Sequence, residues 1–289
     1  MKFTIQIESP SLLKEALTCR CDGVRFGAEF CEVKIPALEV LKRVYEEVND
    51  AGKTFTYVTP ILSNEGVSKL REQFAFLKDA GDAEVIIGDV GALNLLQDYK
   101  GLRLRLGRPR VYIPARCPWS QITRMPNPPF LTRLKVENIF YQTSLNYVRT
   151  LSFYKSLGIV GADVDWISKS FPHFKTIVNN GVGISVHTHA IPVAVTLRCH
   201  TARFLGEIEP AFCTQPCLSK VFTINQREVQ RSFILHGNVV FRLIESPQRE
   251  VKELQKLGVE ELVIPMGPVS GLLTRKSVND AITTLSGGF

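Results

Sequence analysis

Residues 54–106 read TFTYVTPILSNEGVSKLREQFAFLKDAGDAEVIIGDVGALNLLQDYKGLRLRL. Two rounds of one structural unit are legible there. Thr54–Leu62 is apolar and strand-like. Glu65–Asp79 has helical spacing and is closed by Gly81, a residue that commonly ends a helix. Glu84–Gly88 is a short apolar strand, Val90–Tyr99 a helix, and Leu102–Leu106 the next strand. Strands alternating with helices of this length imply parallel pairing through helical crossovers.

The rhythm extends in both directions. Upstream lie a strand at Phe3–Ile7, a short helix at Ser11–Thr18 with Ser11 as N-cap, a strand at Gly23–Phe30 and a helix at Ala37–Asp50. Downstream, the spacing predicts a strand at Ile139–Thr143, a helix at Tyr147–Leu157, a strand at Ala162–Val164, a helix at Ile167–Asn179 and a strand at Val182–Val186. Ser232–Glu245 reads as two strands joined at His236-Gly237-Asn238. Val251–Leu257, Leu262–Pro265 and Val278–Leu285 give a helix–strand–helix ending. Seven or eight units without a clear break predict an α/β fold, a single (β/α) TIM-barrel-like domain over 1–289. Two stretches depart from the rhythm. Residues 108–135 are proline-rich, follow Arg103 and Arg105, and hold Arg108, Arg110 and Arg116; they read as a loop insertion. Residues 199–230 carry three cysteines with little periodicity and read as an irregular, cofactor-binding segment.

Composition narrows the classes. With 289 residues and 45% hydrophobic content the chain can bury a full core, which excludes a disordered chain or a disulfide-stapled miniprotein. There is no apolar run of 18 residues, so no membrane span is expected. Met1–Glu8 alternates apolar and polar residues and lacks a signal-peptide core, which points to the cytoplasm. The net charge of +7 permits RNA, anionic substrates or an acidic partner without choosing among them. The sequence contains no G-x-S-x-G, H-E-x-x-H or P-loop pattern. Cys199 and His200 are adjacent, so an extended backbone would point them apart, against a cysteine–histidine peptidase.

Seven cysteines are many for a reducing compartment, where metal binding or catalysis is the usual reason. Cys199, Cys213 and Cys217 are spaced C-x13-C-x3-C. Thiolates suit zinc or an iron–sulfur cluster. Zinc fingers usually pair two short hooks, and only one is present here. A fourth thiolate must be remote, from among Cys19, Cys21, Cys31 and Cys117. Cys31 follows a strand, as Cys199 does, and strand ends gather at one barrel face. Cys19 and Cys21 precede that strand, at the opposite face. Each cysteine could instead be a buried small hydrophobe.

The stretch Pro192-Val193-Ala194-Val195-Thr196-Leu197-Arg198-Cys199-His200-Thr201-Ala202-Arg203 resembles the P-x-A-x-S-x-R-C-x-T-A-R signature of the UbiV branch of the collagenase-like peptidase (U32) family. Arg25–Cys31 resembles the strand that carries that branch's fourth ligand, and Ile234–Asn238 its V-L-N-G turn. The resemblance implies a barrel and a 4Fe-4S cluster on Cys31, Cys199, Cys213 and Cys217. It also implies a heterodimer with a UbiU-like protein, acting in oxygen-independent hydroxylation of a quinone precursor during anaerobic ubiquinone biosynthesis. Other members hydroxylate transfer or ribosomal RNA bases, so RNA is the alternative substrate; a zinc-stabilised, non-catalytic scaffold is another reading. Arg198 and Arg203 flank Cys199 and could tune a cluster, hold an anionic substrate or form salt bridges. His187 and His189, two apart on a strand, could bind metal or substrate or pair structurally. Asp163 and Asp165 could be strand-end acids or helix caps.

Overall fold

The computed structural model describes residues 1–117, 129–207, 209, 212–227, 231–244 and 250–287. Eight parallel strands close into a barrel: β1 (Lys2–Ile7), β2 (Gly23–Phe26), β3 (Thr54–Val58), β4 (Glu84–Ile87), β5 (Arg103–Leu106), β6 (Ile159–Asp165), β7 (Gly183–His187) and, last in the chain, β12 (Glu261–Met266). Closure comes from β12 pairing with β1, in register from Lys2↔Glu261 to Ile7↔Met266. Helices α1 (Leu13–Leu17), α2 (Leu38–Asp50), α3 (Asn64–Ala80) and α4 (Val90–Leu96) connect the first five strands. Side chains fix where they start: Ser63 accepts from the Gly66 amide ahead of α3, and Asp89 from the Gly91 amide ahead of α4. Along α2, Leu41, Val44 and Val48 form the buried stripe that the spacing predicted.

Helices α5 (Phe130–Tyr141) and α6 (Val148–Ser156) lie between β5 and β6, and α7 (Phe171–Asn179) between β6 and β7. The predicted strand at Ile139–Thr143 is instead the end of α5 and the turn after it. A short apolar run does not distinguish strand from helix, and here the β5-to-β6 crossover requires helix. Of the expected loop insertion, residues 118–128 lie outside the described residues. Its described parts are the turn carrying Ile113 and Ala115, which packs with Ile167 and Ile191, and the start of α5.

Between β7 and β12 the chain builds a second sheet from β8 (Ala190–Val195), β9 (Phe222–Gln226), β10 (Arg231–His236) and β11 (Val239–Leu243). It is antiparallel, in the order β8-β11-β10-β9. The hairpin expected at His236-Gly237-Asn238 is β10–β11. The short helix α8 (His200–Phe204) lies between β8 and β9; α9 (Val251–Lys256) precedes β12, and α10 (Arg275–Ser286) follows it.

The barrel strands alternate in character, and the alternation sorts residues to two sides. Ile5, Val24, Phe26, Tyr57, Val85, Leu104, Val164, Ile184 and Leu262 belong to the large apolar core under the helices. Many of the intervening positions are polar and face the lumen, with Ile86 and Val263 as apolar exceptions. Arg25 on β2 reaches across to Asp163 on β6 at 2.6 Å and to Glu261 on β12. Arg105 on β5 donates to Ser185 on β7 at 2.7 Å and bridges Glu260 at 3.1 Å. Gly161 leaves the room this requires: a Cβ there would stand 2.3 Å from the Arg105 guanidinium carbon. Arg25 and Asp163 are fully buried, so each charge depends on the other.

Burial opposes ionisation of Asp163, but Arg25 and His187 outweigh it and hold the carboxyl well below its usual range. Arg25 does the same for Glu261. Depressed carboxyl pKa values add stability above the ordinary carboxylate range, which is lost as pH falls through that range towards the folded values. Urea unfolding should therefore show stability nearly flat from pH 7 to about 5 and falling below about 4. Asp163→Asn should cost about 3 kcal/mol at pH 7, because buried Arg25 would keep Glu261 alone as its counter-ion, and should flatten the acid slope. An unchanged midpoint at pH 7 would contradict the ion pair's role.

Candidate functional site

Site-forming residues gather at the C-terminal mouth of the barrel, where strand ends converge. A second charged layer lies there. Glu29, just past β2, takes Nε of Arg108 on both carboxylate oxygens at 3.1 Å. Arg108 also reaches Asp165 at 3.3 Å and the Ala190 carbonyl at 2.9 Å. Arg116 bonds the other oxygen of Asp165 and the Arg108 carbonyl. Asp163 and Asp165 therefore face the lumen together, as ion-pair partners and not as helix caps. Burial works against ionisation of Glu29, and Arg108 overcomes it, holding the carboxyl low.

His187 and His189 part company. His187 ends β7 and bonds Asp163 through Nε2 at 2.9 Å. His189 lies beyond the strand with φ 72°, which turns it away; its Nδ1 is 2.6 Å from the Thr188 hydroxyl, and burial pulls its pKa down to about 4. The shared face expected of a regular strand is lost to that left-handed residue. Among the described residues, the group of three potential metal-ligating side chains closing within 4.8 Å is Glu29, Asp163 and His187. Both carboxylates already hold an arginine, so the trio is accounted for as an ion-pair network.

The cysteines divide as their positions suggest. Cys19 and Cys21 sit ahead of β2, at the barrel's other end, where their thiols donate to the Glu15 and Ala16 carbonyls of α1. Cys117 is exposed. Cys31, Cys199 and Cys217 approach the turn at His236-Gly237-Asn238 from three separate segments, and Cys213 lies near Cys199. The Asn238 amide clamps two of them, donating at 2.8 Å both to the Phe30 carbonyl, next to Cys31, and to the Thr196 carbonyl, ahead of Cys199. The Thr201 amide donates to the Gly237 carbonyl at 3.2 Å. Gly237 has φ 62°, and a Cβ there would touch the Cys217 sulfur at 3.7 Å.

The Cys213–Cys217 hook is tied separately. Gln215, at φ 58°, is a left-handed residue other than glycine, and its amide donates to the Val33 carbonyl at 3.0 Å, pinning the hook beside Cys31. Cys217 is buried in the turn that follows. Cys199 caps α8, its sulfur accepting from the Ala202 amide at 3.4 Å. Electrostatic influence links the four thiols in a chain: Cys31 with Cys217, Cys217 with Cys199, and Cys199 with Cys213. Burial pushes the Cys31 thiol up to about 11, against the pull of Lys34. Burial likewise raises Cys217, again opposed by Lys34, whose ammonium hydrogen-bonds that thiol and pairs with Glu8. Arg198 and Arg203 are exposed on either side of Cys199.

A pocket opens beside these cysteines, between the barrel mouth and the second sheet. Glu8, Glu29, Arg108 and His236 line it, with Phe30, Leu218, Phe241 and Met266 as apolar walls. Two buried lining atoms, Gln6 Oε1 and His236 Nε2, have no hydrogen-bond partner among the described residues. Burial, reinforced by Lys34, pulls the His236 pKa down to about 4, so at neutral pH its ring is uncharged. The cavity thus offers acceptors to a ligand that brings its own hydrogen-bond donors. Sequence reasoning missed Glu8, Lys34, Gln215 and the role of Asn238. Glu8, Lys34 and Gln215 lie in no motif, although Lys34 follows Cys31 by three residues; Asn238 ends the Ile234–Asn238 turn, whose contacts its sequence does not announce.

Asn238→Ala should cost about 1–3 kcal/mol by leaving buried carbonyls unsatisfied, measured by urea unfolding. It should also weaken cobalt(II) binding to the thiols, read from sulfur-to-metal charge-transfer absorption. Wild-type binding in that variant would show that the clamp does not position the cysteines.

No protein-family model matches the chain, and no curated protein matches it. Among solved structures, it is similar to the U32 peptidase Mk0906, at TM-score 0.47 and 14% identity over 93% of each chain. It is also similar to a thiamine phosphate pyrophosphorylase from Pyrococcus furiosus, at TM-score 0.42 and 8% identity over 99% of this chain and 96% of that one. A third is dihydropteroate synthase from Thermus thermophilus, at TM-score 0.38 and 13% identity over 98% of this chain and 92% of that one.

Proposed function

We propose that this chain is an iron–sulfur protein of the UbiV kind in the U32 family. In this reading Cys31, Cys199, Cys213 and Cys217 hold a 4Fe-4S cluster. The protein works in the cytoplasm as a heterodimer with a UbiU-like protein, in oxygen-independent hydroxylation of a ubiquinone precursor. The observation that carries the reading is that four cysteines from three segments lie near one another, three of them at one turn beside the mouth pocket.

The donor set fits such a group. It is all sulfur, and Lys34 supplies positive charge next to two of the thiols to offset thiolate charge. When bound, the cluster would supply electron transfer, which side chains cannot.

The remaining roles belong to the chain's own residues. Phe30 and Phe241, edge to face at 6.0 Å, offer apolar wall to a ring. Gln6 and the uncharged His236 offer acceptors to ring hydroxyls. Glu29 and Arg108 hold fixed charge at the cavity floor, each already paired, so they orient a ligand without binding it as a free ion.

Anaerobic purification followed by iron, sulfide and zinc assays tests the reading. It expects about four irons and four sulfides per chain, both lost in Cys199→Ala/Cys213→Ala. Because ligating thiols must lose their protons, and burial raises three of the four, reconstitution should weaken as pH falls from 8 to 6. Stoichiometric zinc without sulfide would overturn the redox role and leave the scaffold reading.

A further inference from the structure

Charge and exposed apolar surface are both unevenly distributed, and they are uneven in the same place. Between Asp98 and Glu207 the sequence has fifteen lysines and arginines and three acids, Glu137, Asp163 and Asp165. Both aspartates are in the barrel interior. Arg105, Arg108 and Arg116 are spent on interior pairs, whereas Lys135, Arg149 and Lys169 are exposed. Elsewhere in the chain acids outnumber bases.

The exposed large hydrophobic residues follow the same division. Among the described residues, those outside this stretch are Val90, Phe212, Ile224, Leu243 and Leu273. All the others lie within it, most densely on α5, where Phe130, Leu131, Leu134, Val136 and Ile139 are each about half exposed or more. Apolar side chains are distributed around α5, so no single stripe of it meets the barrel; its anchor is its C-terminal end, where Phe140 and Tyr141 pack on Ile113 and Ile167. Tyr147 and Val148, also exposed, open α6. Lys169 lies over the Tyr141 ring at 5.2 Å, and Lys135 and Arg149 lie on the two helices. Exposed apolar patches on this scale mark interaction sites.

We infer that α5 and the start of α6 form a docking face for an anionic phospholipid surface. Basic residues mixed with exposed aromatic and aliphatic side chains match both parts of such a surface, headgroup charge and acyl boundary. Aliphatic Leu131, Leu134, Val136 and Ile139 argue against RNA, whose backbone cannot bury them and whose bases stack on aromatic rings. None of the described helices is long and apolar enough to cross a membrane, so the contact would be peripheral. The inference rests on surface composition alone and stands apart from the proposed cluster.

Flotation of the full chain with phosphatidylcholine vesicles, with and without phosphatidylglycerol, tests it. Binding should require the anionic lipid and weaken as salt rises. Leu131→Ser/Leu134→Ser should abolish flotation, and Lys135→Glu/Arg149→Glu should weaken it by about tenfold or more. Leu273→Ser, away from the face, should leave it unchanged. Circular dichroism checks that each variant is folded. Absence of flotation overturns the inference, as does equal flotation by the folded variants. It is also overturned if the wild type sediments as a dimer that Leu131→Ser/Leu134→Ser converts to monomer, or if a transfer RNA binds through this face while vesicles do not.

Discussion

The guanidinium of Arg25, buried in the barrel lumen between Asp163 and Glu261, is the constraint on which the rest of the structure depends. Three strands that are distant in sequence meet at that one group. A charge pair sealed from water needs close geometry, because each ion alone would cost several kcal/mol to bury. The pair therefore selects register. Slipping β2 by one residue would turn Val24 or Phe26 into the lumen opposite Asp163 and push Arg25 into the apolar layer under the helices. Arg25, Arg105, Asp163, Ser185 and Glu261 pair with one another across the lumen, and the candidate site is left to the mouth.

At the mouth, a second sheet completes what strand ends begin. The excursion between β7 and β12 brings Cys199, Cys213 and Cys217 back over the end of β2, where Cys31 waits. The join is a few polar contacts: one asparagine amide shared between two carbonyls, and one glutamine in a left-handed turn. These contacts place a group of cysteines beside a pocket with apolar walls and two buried acceptors unpaired among the described residues. Barrel, turn and cavity thus form one chain of dependence, from lumen ion pair to strand register to thiol placement.

Much of the fold was legible where local and global signals agree. In 54–106, caps, glycine stops and apolar spacing all indicate the same βα unit, and the β10–β11 hairpin was visible at its turn. The Ile139–Thr143 stretch was not, because its apolar part, Ile139-Phe140-Tyr141, is too short to carry a period that separates helix from strand. The polar lumen was written in the sequence as alternation, in Val24-Arg25-Phe26, Ala162-Asp163-Val164-Asp165 and Ile184-Ser185-Val186-His187. Its meaning depends on which side of a closed barrel each residue faces, and that is a property of closure. That Cys31 lies at the same end of the barrel as Cys199, Cys213 and Cys217, and Cys19 and Cys21 at the other, was legible from their places before and after a strand. Asn238, Gln215 and Lys34 act through contacts between segments far apart in sequence, which no local pattern encodes.

The central claim is that four thiols from three segments form one iron-binding site. X-ray absorption at the iron edge of the anaerobically purified chain tests it most directly, with Cys31→Ala alongside because Cys31 is the ligand most remote in sequence. The account predicts a first shell of sulfur with an iron–iron shell behind it, and loss or rearrangement of both in the variant. A first shell of nitrogen and oxygen, or a spectrum that Cys31→Ala leaves unchanged, would contradict it.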